Sequence, residues 1–397
     1  MAKSMDHWPE VKIGDLGEVF TGRTPPTHKK SYYGSEYPFI TPGDMRQGKY
    51  ALHAERGLSQ EGADLLKRIQ LPANAVCVSC IGWQMGETIL TARPSFTNQQ
   101  INTIVPSVDV DSSFLYYSLR TRKQEFLSLG ASTGVRTPIL NKSAFCNLTL
   151  LLPPLPTQRR IAGILSAYDE LIANNQRRIA VLEQMARALY REWFVYFRFP
   201  AEASAKVGAP GVRIQPGSEL PEGWELGILE DVVTLQRGFD LPKAQRVDGT
   251  VPIIAATGIT GWHNEARVKA PGVVTGRSGT IGEVLYIQED YWPLNTSLWS
   301  KAFPKSVPLF AYYTLSGIEL KQFNAGAAVP SLNRNDIHGL PMPIPPMSLQ
   351  IKFQEIAGAM HEQMKVLEES TNILRRTRDL LLPRLMSGRV EVNKIAS

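Results

Sequence analysis

Two stretches of the chain carry apolar residues at strict four-three spacing. In the first, Ile161, Leu165, Tyr168, Ile172, Asn175, Ile179, Leu182, Ala186, Leu189 and Trp193 fall on one seam. In the second, Phe353, Ala357, Met360, Met364, Leu367, Thr371, Leu374, Arg378, Leu381 and Leu385 do the same, each 192 positions later. An apolar repeat of 3.5 residues keeps one face of a helix against a partner, so the pattern predicts two long helices paired as a coiled coil. Only Gly163, Gly358 and Pro383 interrupt it, all near the ends. Roughly 33 to 38 residues make a rod of about 50 to 57 Å. Elsewhere the apolar residues come in short runs such as residues 76–81, the pattern of strands in mixed α/β domains.

The rest of the chain is also written twice. Trp8, Asp15 and Gly22 match Trp224, Asp231 and Gly238 at an offset of 216. Tyr116-Tyr117 and Gly86-Glu87 match Tyr312-Tyr313 and Gly282-Glu283 at 196, and Pro153-Pro154 and Gln158 match Pro345-Pro346 and Gln350 at 192. The offset shrinks between the first strand and the double tyrosine, so the copies share a skeleton and differ in their interiors. Two sites of similar geometry that read different things are expected. The predicted fold is mixed α/β: two globular α/β domains joined by two long helices, with an internal pseudo-twofold repeat. Its segments are 1–156 and 201–346 for the domains, with 157–200 and 347–397 for the helices.

A twofold relation makes the helices antiparallel and sets Asn175 against Thr371, whereas a parallel pair would bury the amide against Leu367 with no polar partner. The antiparallel pair is therefore expected. Helices that merely close the two domain cores are the alternative.

Composition narrows the function. The formal charge of +6 permits a nucleic-acid partner, but residues 201–346 are net −2, so attraction to phosphate is local. Three cysteines exclude a disulfide scaffold, and no apolar run reaches the ~18 residues of a membrane span. Without the apolar core of a signal peptide at the N-terminus, the chain is expected to be soluble and cytoplasmic.

Catalytic motifs are missing. Base methylation needs Asn or Asp before Pro-Pro, but Leu152 and Ile344 stand there, and both Pro-Pro pairs read as stops before a helix. Glu10-Val11-Lys12 and Glu319-Leu320-Lys321 lack the further acidic residue of a nuclease site. There is no phosphate-binding loop for ATP. The run from Thr275 to Gly282 reads as a turn between strands, or as backbone in contact with a phosphodiester. Cys77 and Cys80 lack further ligands for zinc and read as buried small residues. No metal site is expected, and the chain reads as a binder.

Several motifs carry a resemblance. Thr21-Gly22-Arg23-Thr24-Pro25, Pro38-Phe39-Ile40-Thr41-Pro42-Gly43-Asp44-Met45, Thr97-Asn98-Gln99-Gln100-Ile101-Asn102 and Pro153-Pro154-Leu155-Pro156 with Gln158 and Ile161 resemble, in that order, the specificity subunit of type I restriction-modification systems. Residues 276–282 and 292–298 are similar in the second half. Thr157 and Leu349 depart from the acidic residue that family often places before the helix-start glutamine. The resemblance covers nearly the whole chain. It implies a non-catalytic, prokaryotic DNA-binding subunit with two target-recognition domains, each reading one half of a split, asymmetric sequence. The helices would set the gap and dock two methyltransferase subunits, joined in some assemblies by a motor-nuclease subunit. S-adenosylmethionine, ATP and Mg would then sit on the partners. A ~50 Å rod against ~34 Å per DNA turn places the half-sites roughly one to two turns apart.

Side-chain chemistry nominates the contacts. Lys29, Lys30, Arg136, Arg237, Arg246 and Arg277 are candidates for phosphate. Gln84, Asn98 and Gln99 in the first copy, and His263, Asn295 and Thr296 in the second, are candidates for base edges. Asn98 and Asn295 fall at equivalent repeat positions, which suits a shared structural role. The competing classes are a stand-alone methyltransferase or nuclease with a degenerate motif, and a tether that grips only proteins.

Overall fold

In a computed structural model, residues 8–46, 48–131, 137–199, 220–324, 326 and 328–390 are described. The chain divides into two compact units: Met1–Asn175 with Glu369–Ser397, and Gln176–Glu368.

The first unit is built on a five-stranded sheet in the order Gly17–Thr21, Ile101–Pro106, Val76–Ser79, Thr88–Thr91, Tyr50–Ala51. Beside it, Tyr33–Ile40 pairs antiparallel with Arg56–Leu58 and parallel with Phe96–Thr97. Residues 76–79 are buried on both faces, which is why that run lacks polar alternation. The second unit repeats the plan with four strands, Thr234–Arg237, Ser297–Ala302, Gly272–Gly276 and Val284–Ile287, and a smaller sheet of Gly258–His263, Val251–Ala255 and Trp292–Pro293. The shrinking offset has a structural cause. Between Ile40 and Val76 the first unit holds two 3-10 turns, two strands and a helix, whereas Ile254 to Val273 holds one strand.

Each Pro-Pro pair is followed at once by a long helix, Leu155–Tyr190 of 36 residues and Met347–Met386 of 40. One buried glutamine joins each helix to its domain. Gln158 accepts from Asp111 N (2.8 Å) and donates to Asp109 O (3.1 Å) and Pro153 O (2.8 Å). Gln350 accepts from Val307 N (3.1 Å) and donates to Lys305 O (3.0 Å) and Pro345 O (2.9 Å).

Within the first unit, Asp169 meets Arg378 and Asn175 meets Ser370, so the central helix runs antiparallel to the C-terminal one. Within the second, Tyr190 packs on Phe353 and Glu183 lies near His361, again antiparallel. Ile161, Leu165, Ile172, Asn175, Phe353, Met364, Leu367 and Thr371 are buried; Tyr168, Ile179, Leu182, Leu189, Met360, Leu374 and Leu381 are half-buried. The central amide differs in detail from the expected Asn175–Thr371 pair: it donates to Ser370 at 3.4 Å, and the buried Thr371 hydroxyl has no partner. The helix ends also close the cores. Ile161, Leu165, Leu382 and Leu385 pack with Phe114 and Tyr116 in the first unit, and Ala186, Trp193 and Phe353 with Phe310 and Tyr313 in the second. Among the described residues no helix is long and apolar enough to cross a membrane.

Candidate nucleic-acid interface

At one edge of each unit the same set of loops meets, held by equivalent main-chain bonds. Gly22 N donates to Ile101 O and Arg23 N to Thr97 O, as Gly238 N does to Ser297 O and Phe239 N to Pro293 O. Asn98 N reaches Ile40 O, as Leu294 N reaches Ile254 O. Glycine is needed at the crossing, because a Cβ on Gly22 or Gly238 would lie 2.2 Å from the carbonyl oxygen of Asn98 or Leu294. These bonds match Asn98 with Leu294, and Gln99 with Asn295. The equivalence of Asn98 and Asn295 is therefore off by one residue.

The side chains confirm the corrected register. Gln99 accepts from the Thr24 hydroxyl at 2.7 Å, and Asn295 donates to Asp240, where Thr24 and Asp240 are themselves related by the offset of 216. Asn98 is buried in a turn, accepting from Gln100 N (3.1 Å) and donating to Gln100 Oε1 (2.9 Å).

In the first unit these loops surround a cleft of about 560 Å³. Its walls include Pro42, Arg56, Trp83, Gln84, Asn98 and Gln100. Buried Asp44 shapes one wall by accepting from Thr41 N, Thr41 Oγ1 and Glu55 N. Gln84 forms another, its amide lying between Pro42 O (2.9 Å) and the Arg46 guanidinium (3.2 Å), both of which it can bond with its oxygen turned toward Arg46. A neighbouring depression is lined by Arg23, Lys67 and Arg68. No spacing in the sequence links Arg23 to Lys67 and Arg68; the fold brings all three to one depression.

The remaining candidates are scattered. Lys29 is held by Glu61 (2.6 Å), which raises its pKa, and lies over the Tyr32 ring. Lys30 is exposed at the start of the Lys30–Tyr32 turn. Arg237 is exposed at the end of its strand, and Arg246 donates to Leu241 O (3.4 Å). Arg277 donates to Asn295 O at 3.3 Å, while Thr296 O accepts from Arg277 N and Ser278 N. This joins Arg277, Asn295 and Thr296 in one loop cluster. His263 points inward instead. It is 5% exposed, edge-on to Trp292, with Nδ1 beside the Val247 main chain, and so is placed to pack rather than to reach a base. Arg136 lies outside the described residues.

Cys77 and Cys80 are buried free thiols pushed up to about 12 by burial. Among the described residues no cluster of His, Cys, Asp and Glu could hold a metal ion. What the loops offer is hydrogen-bonding side chains, backbone amides and local cations at one end of the strands, the groups that position phosphates and read base edges.

Comparison with known proteins gives one consistent result. The family model for the type I restriction modification DNA specificity domain matches residues 5–184 and 221–373. The type I restriction enzyme MjaIX specificity subunit of Methanocaldococcus jannaschii is 24% identical, over 98% of this chain and 94% of that protein. The HindI specificity subunit of Haemophilus influenzae is 36% identical over 37% of this chain and 32% of its own length. The crystal structure of the type I restriction-modification S subunit from M. genitalium superposes with a TM-score of 0.67 at 16% identity, covering 97% of each chain.

Proposed function

From its membership in the family of type I restriction-modification DNA specificity subunits, to which this chain belongs, we propose that each of its two units reads one half of a split DNA target. The chain is a recognition component of a restriction-modification assembly and not its catalyst. The observation that carries the division of labour is the loop frame itself. Its main-chain bonds recur in both units, while the side chains mounted on it differ: Gln84, Asn98, Gln99 and Gln100 in one; Arg277, Asn295 and Thr296 in the other. In the first unit Arg23, Lys67 and Arg68, with Lys29 and Lys30, position the backbone, and in the second Arg237, Arg246 and Arg277 do so.

The long helices serve as spacer and dock. At 36 and 40 residues they are about 54 and 60 Å long, which suits half-sites roughly one to two DNA turns apart. On the C-terminal helix Val366, Ile373 and Leu380 recur every seven residues with their side chains exposed, and Leu171, Val181 and Met185 are exposed on the central helix. Such outward apolar lines suit docking of two methyltransferase subunits, and a motor-nuclease subunit joins through them. S-adenosylmethionine, ATP and Mg belong to those partners. The test is co-expression with the cognate methyltransferase and mapping of methylated positions. A single bipartite motif is expected, and methylation without sequence preference would refute the assignment.

A further inference from the structure

The hairpin turn beside the cleft differs between the units by one residue, and that residue projects an indole. Gly82 and Gly279 are equivalent: each N–H bonds a proline carbonyl at 2.9 Å, Pro138 and Pro330, and each has φ near +90° (89° and 88°). Gly86 and Gly282 close the turns, also with positive φ. Between the glycines stand Trp83-Gln84-Met85 in the first unit and Thr280-Ile281 in the second. Met85 and Ile281 are the buried members that anchor each turn. The first turn is thus one residue longer, and Trp83 at its tip is 78% exposed.

An indole that open to water is not held there by packing. The turn under it is nonetheless fixed. Met85 is buried, Gly82 N donates to Pro138 O, and Met85 N and Gly86 N donate to Gly82 O and Ser79 O. Trp83 also forms part of the cleft wall that carries Arg56 and Gln100. An exposed flat aromatic on a fixed turn at the rim of a polar cleft is the arrangement that receives a nucleobase, the ring stacking on its face and the cleft meeting its edge.

We propose that Trp83 stacks on one base of the first half-target that has been drawn out of the duplex stack. The proposal rests on the first unit's loops touching DNA. It goes further by making recognition of that half depend on base unstacking, with no counterpart at Thr280 in the second.

The test uses the full chain assembled with its methyltransferase partner, on duplexes carrying the mapped target. Trp83→Ala should weaken binding roughly ten- to a hundred-fold, the range expected for one lost base–aromatic stack. Trp83→Phe should recover most of it. The salt dependence should be unchanged, because no charge is removed. With 2-aminopurine placed in turn at each first-half position, bound wild type should alter the emission at one position, and Trp83→Ala should restore the duplex value. A melting temperature equal to wild type shows the variant is folded. Unchanged binding by Trp83→Ala, or no position at which the two differ, overturns the stacking role. If Arg23→Ala and Lys67→Ala still weaken binding in that case, the loops touch DNA without unstacking it. If they too are silent, the interface itself is misplaced.

Discussion

Asp169 on the central helix bonds Arg378 on the C-terminal helix at 2.5 Å, and its other oxygen accepts the Tyr117 hydroxyl at 2.6 Å. In the second copy the corresponding tyrosine, Tyr313, bonds His361 at 2.8 Å, and the position matching Arg378 is Ala186. One helix junction is therefore ionic and the other neutral, although the skeleton is the same.

Breaking the ionic junction from one side leaves a buried charge without its partner. Asp169→Ala or Arg378→Ala should each destabilise the fold by roughly 3–5 kcal/mol, less for Asp169→Ala to the extent that Asp379 still pairs with Arg378. The double variant should lose much less than the sum of the two. Denaturant unfolding of the four proteins checks this, and additive losses would show that the pair is not coupled.

The neutral junction is sensitive to acid. Burial pushes His361 down to about 4, with Glu183 opposing weakly, while an unfolded histidine titrates near 6.5. Its contribution is fully present above pH 6.5. As pH falls through the window from 6.5 to 4, the unfolded chain binds a proton that the folded site refuses, and stability drops by up to about 3 kcal/mol. His361→Gln should therefore lose less melting temperature than wild type between pH 7 and 4.5; equal losses would contradict a buried neutral imidazole.

Gln158 and Gln350 each satisfy three main-chain groups. Replacing either with Ala orphans buried donors and acceptors, and should cost about 2–4 kcal/mol. Protection of amide hydrogens should fall in the unit that carries the change and be kept in the other.

Arg23, Lys67 and Arg68 line one depression beside the Gly22 crossing. If each holds a phosphate, its replacement by Ala should lower the slope of log affinity against log salt by about 0.9 in the assembled complex, with the preferred sequence unchanged. A changed motif with an unchanged slope would make these residues base readers.

Exchanging residues 224–340 for those of another family member should alter one half of the methylated motif and leave the other intact. Changes in both halves, or in neither, would refute reading by separate units.

The helices and the duplication were legible because both rest on spacing, which sequence records directly. Every seam position from Ile161 to Trp193 is at least half-buried. The extra length of the first copy was legible as a changing offset, though not as the strands and helix it encodes. The interface was harder. His263 has the chemistry of a base reader but lies against Trp292, and only the fold shows that its side chain, alone in a largely exposed strand, is buried. Asn98 and Asn295 looked equivalent because asparagine recurs; the hydrogen bonds of Gly22 and Gly238 place them one position apart. Trp83 drew no attention, since an isolated tryptophan has no periodicity to mark it as exposed.

The glutamine at the foot of each domain directs its hydrogen bonds to peptide groups: the N–H of Asp111 or Val307 and the carbonyls beside them. A socket that grips the backbone alone is indifferent to the letters carried above it. Mutation can then rewrite the reading loops wholesale while the fastening stays put, so new target words arise without rebuilding the handle that presents them.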